Sequence, residues 1–460
     1  MLRYFLCYIL FFPLFLVSQN HTLSGYVKDS KTGEALIGVS IFVETESKGV
    51  STNVYGYYSI SLNPGQYDVK YSYVGYSSVV KNVEFSEPIR LNIELSESQD
   101  ILDEVVVEAK ESDENTKGTQ MGKIDLSMDK IKTIPAFMGE VDVLKTIQFL
   151  PGVSSGGEGN TGFYVRGGGP DQNLILLDEA TVYNASHLFG FFSVFNADAI
   201  KNVSLIKGGM PSNYGGRLSS VLDITMKDGN YKSFQADGGI GVIASRLTLQ
   251  GPIKEDTASY IISGRRTYID VLAEPFIPET SPSKGSGYYF FDLTAKLNWR
   301  LSDKDRLYLS SYFGRDIFSF KNQDLDFNFN VPWGNATASL RWNHLFNDRL
   351  FVNTTAVFTD YNFAFEGGSN GFYFRLGSGI RDFNLKQDYT YYHSSLHNFK
   401  FGWNYTFHRF VPSSLSASSG DVEFNTIDEV KIYGNEYAVY FQDEWDINED
   451  LKINVGFRLS

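Results

Sequence analysis

The sequence predicts a mainly-β protein in three parts: an N-terminal β-sandwich, a small α+β domain, and about ten or eleven strands of a transmembrane antiparallel β-barrel. Three observations in the second half carry the barrel reading. Apolar and polar residues alternate strictly, as in Phe399, Phe401, Trp403, Tyr405 and Phe407 against Asn398, Lys400, Gly402, Asn404, Thr406 and His408. The same period of two runs through Leu293, Ala295, Leu297, Trp299 and Leu301 against Asp292, Thr294, Lys296, Asn298 and Arg300, and through Ile453, Val455, Phe457 and Leu459. Ala338, Leu340 and Trp342 repeat it, as do Tyr437, Val439 and Phe441. Such alternation means two-faced strands. The patterned stretches are also long, from 347 to 365 and from 372 to 391, and aromatic residues crowd their apolar face and ends as in an outer-membrane girdle. Finally, tight turns on one side (302–305, 346–349, 448–450) contrast with long connections on the other (274–287, 412–433). A soluble β-sandwich with its apolar face inward is the competing reading.

Residues 1–18 read as a secretory signal peptide. Arg3 precedes an apolar run from Tyr4 to Val17 that is too short to span a bilayer, and Ser18 and Gln19 follow it. Cys7, the single cysteine, sits inside that run, so no disulfide framework and no thiolate metal site is available. No later window has the length and apolarity of a membrane helix, and a secreted chain without one enters a membrane only as a barrel. The net charge of −14 argues against a nucleic-acid partner.

Residues 19–97 should form the sandwich, with strands at 23–27, 39–43, 56–62, 66–73 and 89–95 separated by Gly and Pro turns. Ile41, Val43, Val69, Tyr71 and Tyr73 would face its core. The string Gly25-Tyr-Val-Lys-Asp, Thr32-Gly-Glu-Ala-Leu-Ile-Gly-Val-Ser-Ile and Thr52-Asn-Val-Tyr-Gly-Tyr-Tyr-Ser-Ile resembles the carboxypeptidase regulatory-like domain, an accessory module without a zinc site.

Residues 98–122 are acidic and polar and suit a linker. One apolar island interrupts them, Asp103-Glu104-Val105-Val106-Val107. A β-branched run there can add as a strand to a partner's sheet edge, or be the last strand of the sandwich. Residues 123–228 form the α+β domain. A short helix at 141–149 stops at Pro151-Gly152, a strand at 174–177 ends at Asp178, and further strands lie at 200–207 and 221–226, joined by glycine-rich loops. Residues 229–460 hold the barrel strands.

In the α+β domain, the blocks Phe163-Tyr-Val-Arg-Gly-Gly-Gly, Asn173-Leu-Ile-Leu-Leu-Asp, His187-Leu-Phe-Gly-Phe-Phe-Ser-Val-Phe-Asn, Ile200-Lys-Asn-Val-Ser-Leu-Ile-Lys-Gly-Gly and Tyr214-Gly-Gly-Arg-Leu-Ser-Ser-Val resemble the plug of TonB-dependent outer-membrane receptors. The accessory domain in front resembles the arrangement of Bacteroidetes-type receptors. The blocks are less similar to the glycan-importing branch with a lipoprotein lid.

The resemblance implies a barrel of about 22 strands around the plug and import of a scarce extracellular ligand, such as an iron chelate, a cobalamin-like molecule or an oligomeric nutrient. Energy would come from the TonB C-terminal domain and its ExbB/ExbD complex. Outer-membrane lipid would surround the barrel, with the N-terminal domain in the periplasm. Asp103, Glu104, Val105, Val106 and Val107 then match a TonB box. Arg166 and Arg217 sit beside glycines in the plug, and Glu444 faces the lumen side of its strand. A lumen arginine needs a carboxylate, so Arg166 or Arg217 is expected to pair with Glu444 or another inward carboxylate. Tyr183, His187, Phe189 and Phe191 are candidates for a ligand-facing apex, with core packing the competing reading for the aromatics.

No enzyme is expected. His393 and His397 lie in a strand-like region, roughly 13 Å apart and too far for one zinc. No serine triad, phosphate loop or nucleophile elbow appears. No cofactor or metal is expected. The alternative function is a surface-adhesion or signalling barrel without import. A barrel of ten or eleven strands is too narrow for a plug, and the last strand, 452–460, lacks a closing partner. The strands are therefore read as the first half of a barrel, in a C-terminally truncated receptor.

Overall fold

The computed structural model describes residues 21–46, 48–98, 120, 122–134, 140–157, 160–187, 190–427, 430–448 and 451–460. The expected signal peptide and the Asp103–Val107 island lie outside the described residues. The chain divides into two compact units.

The first unit holds the sandwich. One sheet places His21–Asp29 between Tyr57–Leu62 and Ile89–Arg90, with Ile93–Leu95 also on His21–Asp29, and the other runs Lys48–Ser51, Ser40–Val43, Gly65–Ser72, Val79–Phe85. Between them lies an apolar core that includes Leu23, Val27, Ile41, Val43, Val69 and Tyr71. Tyr73 only packs on its margin. Two strands escaped the sequence pattern. Lys48–Ser51 buries none of its residues, and Val79–Phe85 buries only Val83 and Phe85, so neither shows a full alternating face. The strand expected at 89–95 is broken at Leu91-Asn92. There the Asn92 side chain accepts from the Tyr26 amide at 2.9 Å. Gly25 is required opposite the break, because a Cβ at that position would lie 1.9 Å from the Leu91 carbonyl oxygen.

The second unit contains the α+β domain and the long strands. The domain is a five-stranded sheet in the order Ala180–Thr181, Asn173–Leu177, Ser220–Met226, Ile200–Lys207, Lys123–Ser127. Its centre is apolar on both faces: on one, Val203, Leu205, Leu222 and Ile224 are buried among Ile131, Val143, Leu144 and Ile147 of two short helices, Met128–Lys132 and Val143–Ile147, and on the other Leu176, Ile206 and Val221 form a smaller cluster. The second helix is shorter than the sequence suggests. Asp142 caps it by accepting from the Lys145 amide at 3.0 Å, and its other oxygen accepts from the Ser193 amide at 2.6 Å.

The rest is one antiparallel sheet of twelve strands, running from Gln235–Ile240 through Phe327–Asn347 and Leu350–Ser369 to Lys452–Leu459. Its two edge strands are not paired with each other among the described residues. Tight turns follow Arg300 and Asn347, as expected, and the turn expected at 448–450 lies partly outside the described residues. The connection at 412–433, expected as a loop, is mostly strand. His397–Ser419 continues through it, and Val422–Ile427 folds back on the extension. Its serine-rich sequence has no alternating apolar face, and pairing with Phe372–Gly377 supplies the backbone bonds instead.

The burial of this sheet is inverted. On Gly287–Arg300, Leu293, Leu297 and Trp299 are 49%, 42% and 56% exposed, while Thr294, Lys296 and Asn298 on the other face are 4%, 2% and 2% exposed. The same holds for Leu340 and Trp342 against Ser339 and Arg341, and for Val439 and Phe441 against Gln442. A soluble sandwich buries its apolar face. Here the apolar face looks outward and the polar face packs on the α+β domain, as in a barrel wall against lipid. That excludes the competing sandwich reading for this sheet.

Candidate functional site: the interface of plug and wall

The plug meets the wall through a hairpin tip whose sequence is unfavourable for its shape. Leu177 pairs with Ala180, and the two residues between them, Asp178 and Glu179, have φ of 45° and 73°. A two-residue turn with both central residues at positive φ normally takes Asn-Gly, and each non-glycine residue there costs on the order of 1 kcal/mol. The side chains account for the choice. Lys296 of the wall lies 3.0 Å from Asp178 Oδ2 and 3.0 Å from Asp228 Oδ1. Ser310 donates to the same Asp178 oxygen at 2.5 Å, and Arg341 Nη2 donates to the Asp178 carbonyl at 3.0 Å. Glu179 meets Arg341 Nε at 3.2 Å and Lys386 Nζ at 2.7 Å. Burial alone would raise the Glu179 carboxyl, but Arg341 and Lys386 outweigh it and hold the group far below the usual carboxylate range. Three wall strands thus each supply a cation to one acidic turn.

A second ionic centre lies further along the plug. His187 is 1% exposed; its Nδ1 is 2.6 Å from Asp316 Oδ2 and its Nε2 2.8 Å from Asp292 Oδ1. The ring stacks on Phe290 at 4.0 Å between centroids. Burial opposes protonation of the ring, yet Asp292 and Asp316 overcome it and bring the His187 pKa to about 9. At neutral pH both ring nitrogens therefore donate. Asp292 also accepts from Arg265 Nη2 at 2.6 Å and from Tyr312 at 2.7 Å, while Arg265 donates to the Ser193 carbonyl at 2.7 Å. Tyr288 donates to Asp316. Elsewhere Tyr183 donates to Asp382, which also holds His408 Nδ1 at 2.8 Å. Asn196 donates to Ser263 at 2.7 Å, and the Ser212 amide to Gln442 at 2.9 Å.

Several expected site residues are placed differently. Glu444 pairs with Lys400 at 2.6 Å and accepts from Asn398 at 2.9 Å. Arg217 donates to the Gly216 carbonyl at 2.8 Å, and neither Arg217 nor Arg166 forms an ion pair among the described residues. Arg166 instead occupies a turn at φ 49°. The expected arginine–Glu444 bridge is not made, because Asn398 directly opposite on the next strand and Lys400 diagonal to it satisfy Glu444 within the wall. At the hairpin tip the plug contributes carboxylates and the wall cations, whereas at His187 the plug contributes the cation and the wall the carboxylates. His187 and Tyr183, taken as ligand-facing candidates, are tied into the wall. Phe191 is 44% exposed, and Phe189 lies outside the described residues. The wall residues that do hold the plug were legible in part: Asp292 and Lys296 sit on the polar face of an alternating strand, where a lumen charge is expected. Nothing in the local sequence singled out His187 or Asp178 as their partners.

Comparisons with known proteins agree with this architecture. The family described as CarboxypepD_reg-like domain matches residues 23–107, so the match includes the Asp103–Val107 run. The family described as TonB-dependent Receptor Plug Domain matches residues 131–220. TonB-dependent receptor P26 of Formosa agariphila is 27% identical over 230 residues, which are 47% of this chain and 22% of the relative. Among solved structures, the ferric enterobactin receptor PfeA of Pseudomonas aeruginosa superposes with a TM-score of 0.51 at 16% identity, covering 77% of this chain and 59% of that one. The outer membrane transporter YddB of Escherichia coli gives 0.54 at 13% identity, covering 73% and 56%. At these identities the structures establish the fold alone. The chain spans less than three-fifths of the solved receptors and about a fifth of the curated relative.

Proposed function

Given a chain with the domain order, plug and inverted wall of the TonB-dependent outer-membrane receptors, we propose that it binds a scarce extracellular ligand and imports it with energy relayed by TonB. The observation that supports this most is a polar plug domain fixed by buried ion pairs to the polar face of a sheet whose other face is apolar and exposed. Such a wall is stable only in lipid, and a charged plug inside it blocks passage until something moves it.

Asp103–Val107 would be the segment gripped by the TonB C-terminal domain, offering backbone N–H and C=O groups to that partner's sheet edge. ExbB/ExbD would drive TonB, and the N-terminal sandwich would stand in the periplasm. The topology suggests what a pull from that segment does. Among the described residues Lys123–Ser127 is the edge strand of the plug sheet, bonded to Ile200–Lys207 alone, and none of its residues is buried. Tension from the N-terminal side falls on this strand first. The Asp178–Glu179 tip sits at the opposite edge, clamped to the wall. The plug would therefore yield from one side while remaining anchored on the other.

The test places single cysteines at 103–107 and crosslinks them to the TonB C-terminal domain in cells. Crosslinks in the run support the reading; none at any of the five positions overturns it.

A further inference from the structure

The long strands reverse their polarity part of the way up. Below, the lumen face carries Lys296, Arg341, Lys386 and Asp382, each bonded to the plug. The outward face at that level is apolar, as at Leu309, Phe313, Leu340 and Phe383. The outward apolar band ends at a charged row: Asp360 pairs in register with Arg381, and Arg381 with Arg409. Arg381 Nε lies 2.7 Å from Asp360 Oδ1. Beyond that row the outward face holds Asn328, Asn330 and Glu366, so it faces water.

The lumen face changes in the opposite sense at the same level. The parity is fixed by plug contacts: Asp316 bonds His187, and Asn335 donates to the Asn184 carbonyl. Counting outward in steps of two, that face reaches Phe318, Phe320, Phe329, Trp333, Phe365 and Phe374. These rings pack side by side across four strands. Centroids lie 5.2 Å apart for Phe320 and Phe329, 5.4 Å for Phe329 and Phe365, and 5.4 Å for Phe365 and Phe374. Phe318, Phe329 and Phe365 are only partly buried. Every lumen-facing position from Phe318 to Asn322, Phe327 to Trp333, Tyr361 to Ser369 and Phe372 to Ile380 is uncharged.

We propose that this outer wall, above the charged row, is a binding surface for an uncharged aromatic ligand that stacks on the phenylalanine rings. The proposal rests on the receptor reading above and specifies its ligand class. The absence of charge on this face disfavours an anionic chelate, which would meet no cation there. Oligosaccharides fit poorly as well, because a ligand with hydroxyls on every ring finds only Asn322, Tyr361, Ser369, Ser378 and the Trp333 indole as hydrogen-bonding side chains among the phenylalanines. Flat π-faces, by contrast, gain from offset or edge contacts with every ring in the row. The face is continuous with the plug through Phe192, which shares a buried cluster with Tyr288, Phe290 and Trp333. A ligand held there lies on the path to the plug.

The test uses the full-length protein in lipid nanodiscs and N-phenyl-1-naphthylamine, a neutral aromatic dye, with empty nanodiscs subtracted for partitioning. Saturable binding is expected, weakened at least about tenfold by Phe320→Ser with Phe365→Ser and only in part by the corresponding leucine pair. Neither maltohexaose nor a ferric tris-catecholate should displace the dye. Non-saturable binding, affinity unchanged in the serine pair, or displacement by the sugar or the anion each overturns the proposal. Binding of the TonB C-terminal domain to the same nanodiscs is measured in parallel. If TonB binds and the dye does not, the ligand class alone fails; if the dye binds and TonB does not, the import reading alone fails.

Discussion

The two edges of the plug sheet differ in what holds them. At one edge, the Asp178–Glu179 tip accepts a lysine, an arginine and a second lysine from three wall strands, with Asp178, Lys296 and Arg341 buried and Glu179 and Lys386 mostly so. At the other, Lys123–Ser127 pairs, among the described residues, with a single neighbouring strand and carries an exposed pair between Lys123 and Asp125 at 2.8 Å. An exposed pair of that kind contributes little. Removing one partner of a buried charge cluster leaves the others desolvated and unpaired, which costs far more. The difference separates an anchor from a release point within one sheet of five strands.

The comparison breaks most directly at the anchor. Glu179→Gln leaves Arg341 and Lys386 facing a neutral amide and should lower plug stability by about 3–5 kcal/mol, read from urea-induced release of the plug in detergent. A loss under 1 kcal/mol would show that the anchor lies elsewhere. His187 should matter next. Its pKa in the folded protein, about 9, stands above the ordinary value of 6.5. Its stabilisation is then complete below pH 6.5 and disappears as pH rises through 9, a span worth roughly 3 kcal/mol. Plug melting followed from pH 6 to pH 10 should show this fall in the native protein and a flatter profile in His187→Gln. Leu126→Ser on the edge strand should cost only about 1 kcal/mol and should speed amide exchange at 123–127 without affecting 173–177. Arg217→Ala should shift stability by no more than about 0.5 kcal/mol, because the arginine bonds its own turn and acts on Glu436 and Tyr183 only through space.

Much of the architecture was legible because a period of two is a strong signal when both faces are uniform. The cores of Gly287–Arg300 and Phe327–Asn347, at 292–300 and 338–342, showed themselves in this way. Lys48–Ser51 and the extension of His397–Ser419 did not, since a strand that buries nothing carries no face to read. The polar faces were also identifiable as lumen faces, and Asp292 and Lys296 were on them. Their partners were not, because the pairing joins residues more than a hundred positions apart, and charge sign alone does not say which arginine meets which carboxylate. Arg166 and Arg217 looked suitable by their glycine neighbours, yet the plug groups that meet wall charges include Asp178, Glu179 and His187 instead. The Asp178-Glu179 pair could have drawn notice as a tight turn lacking the expected glycine.

Pulling on residues 103–107 by single-molecule force spectroscopy, with the wall held in a bilayer, tests the division into anchor and release point most directly. The account predicts a first, low-force rupture that frees the chain through Ser127 and leaves residues 173–181 in place. It also predicts that Glu179→Gln lowers only the later, high-force event. A single rupture that releases the whole plug at once would contradict it.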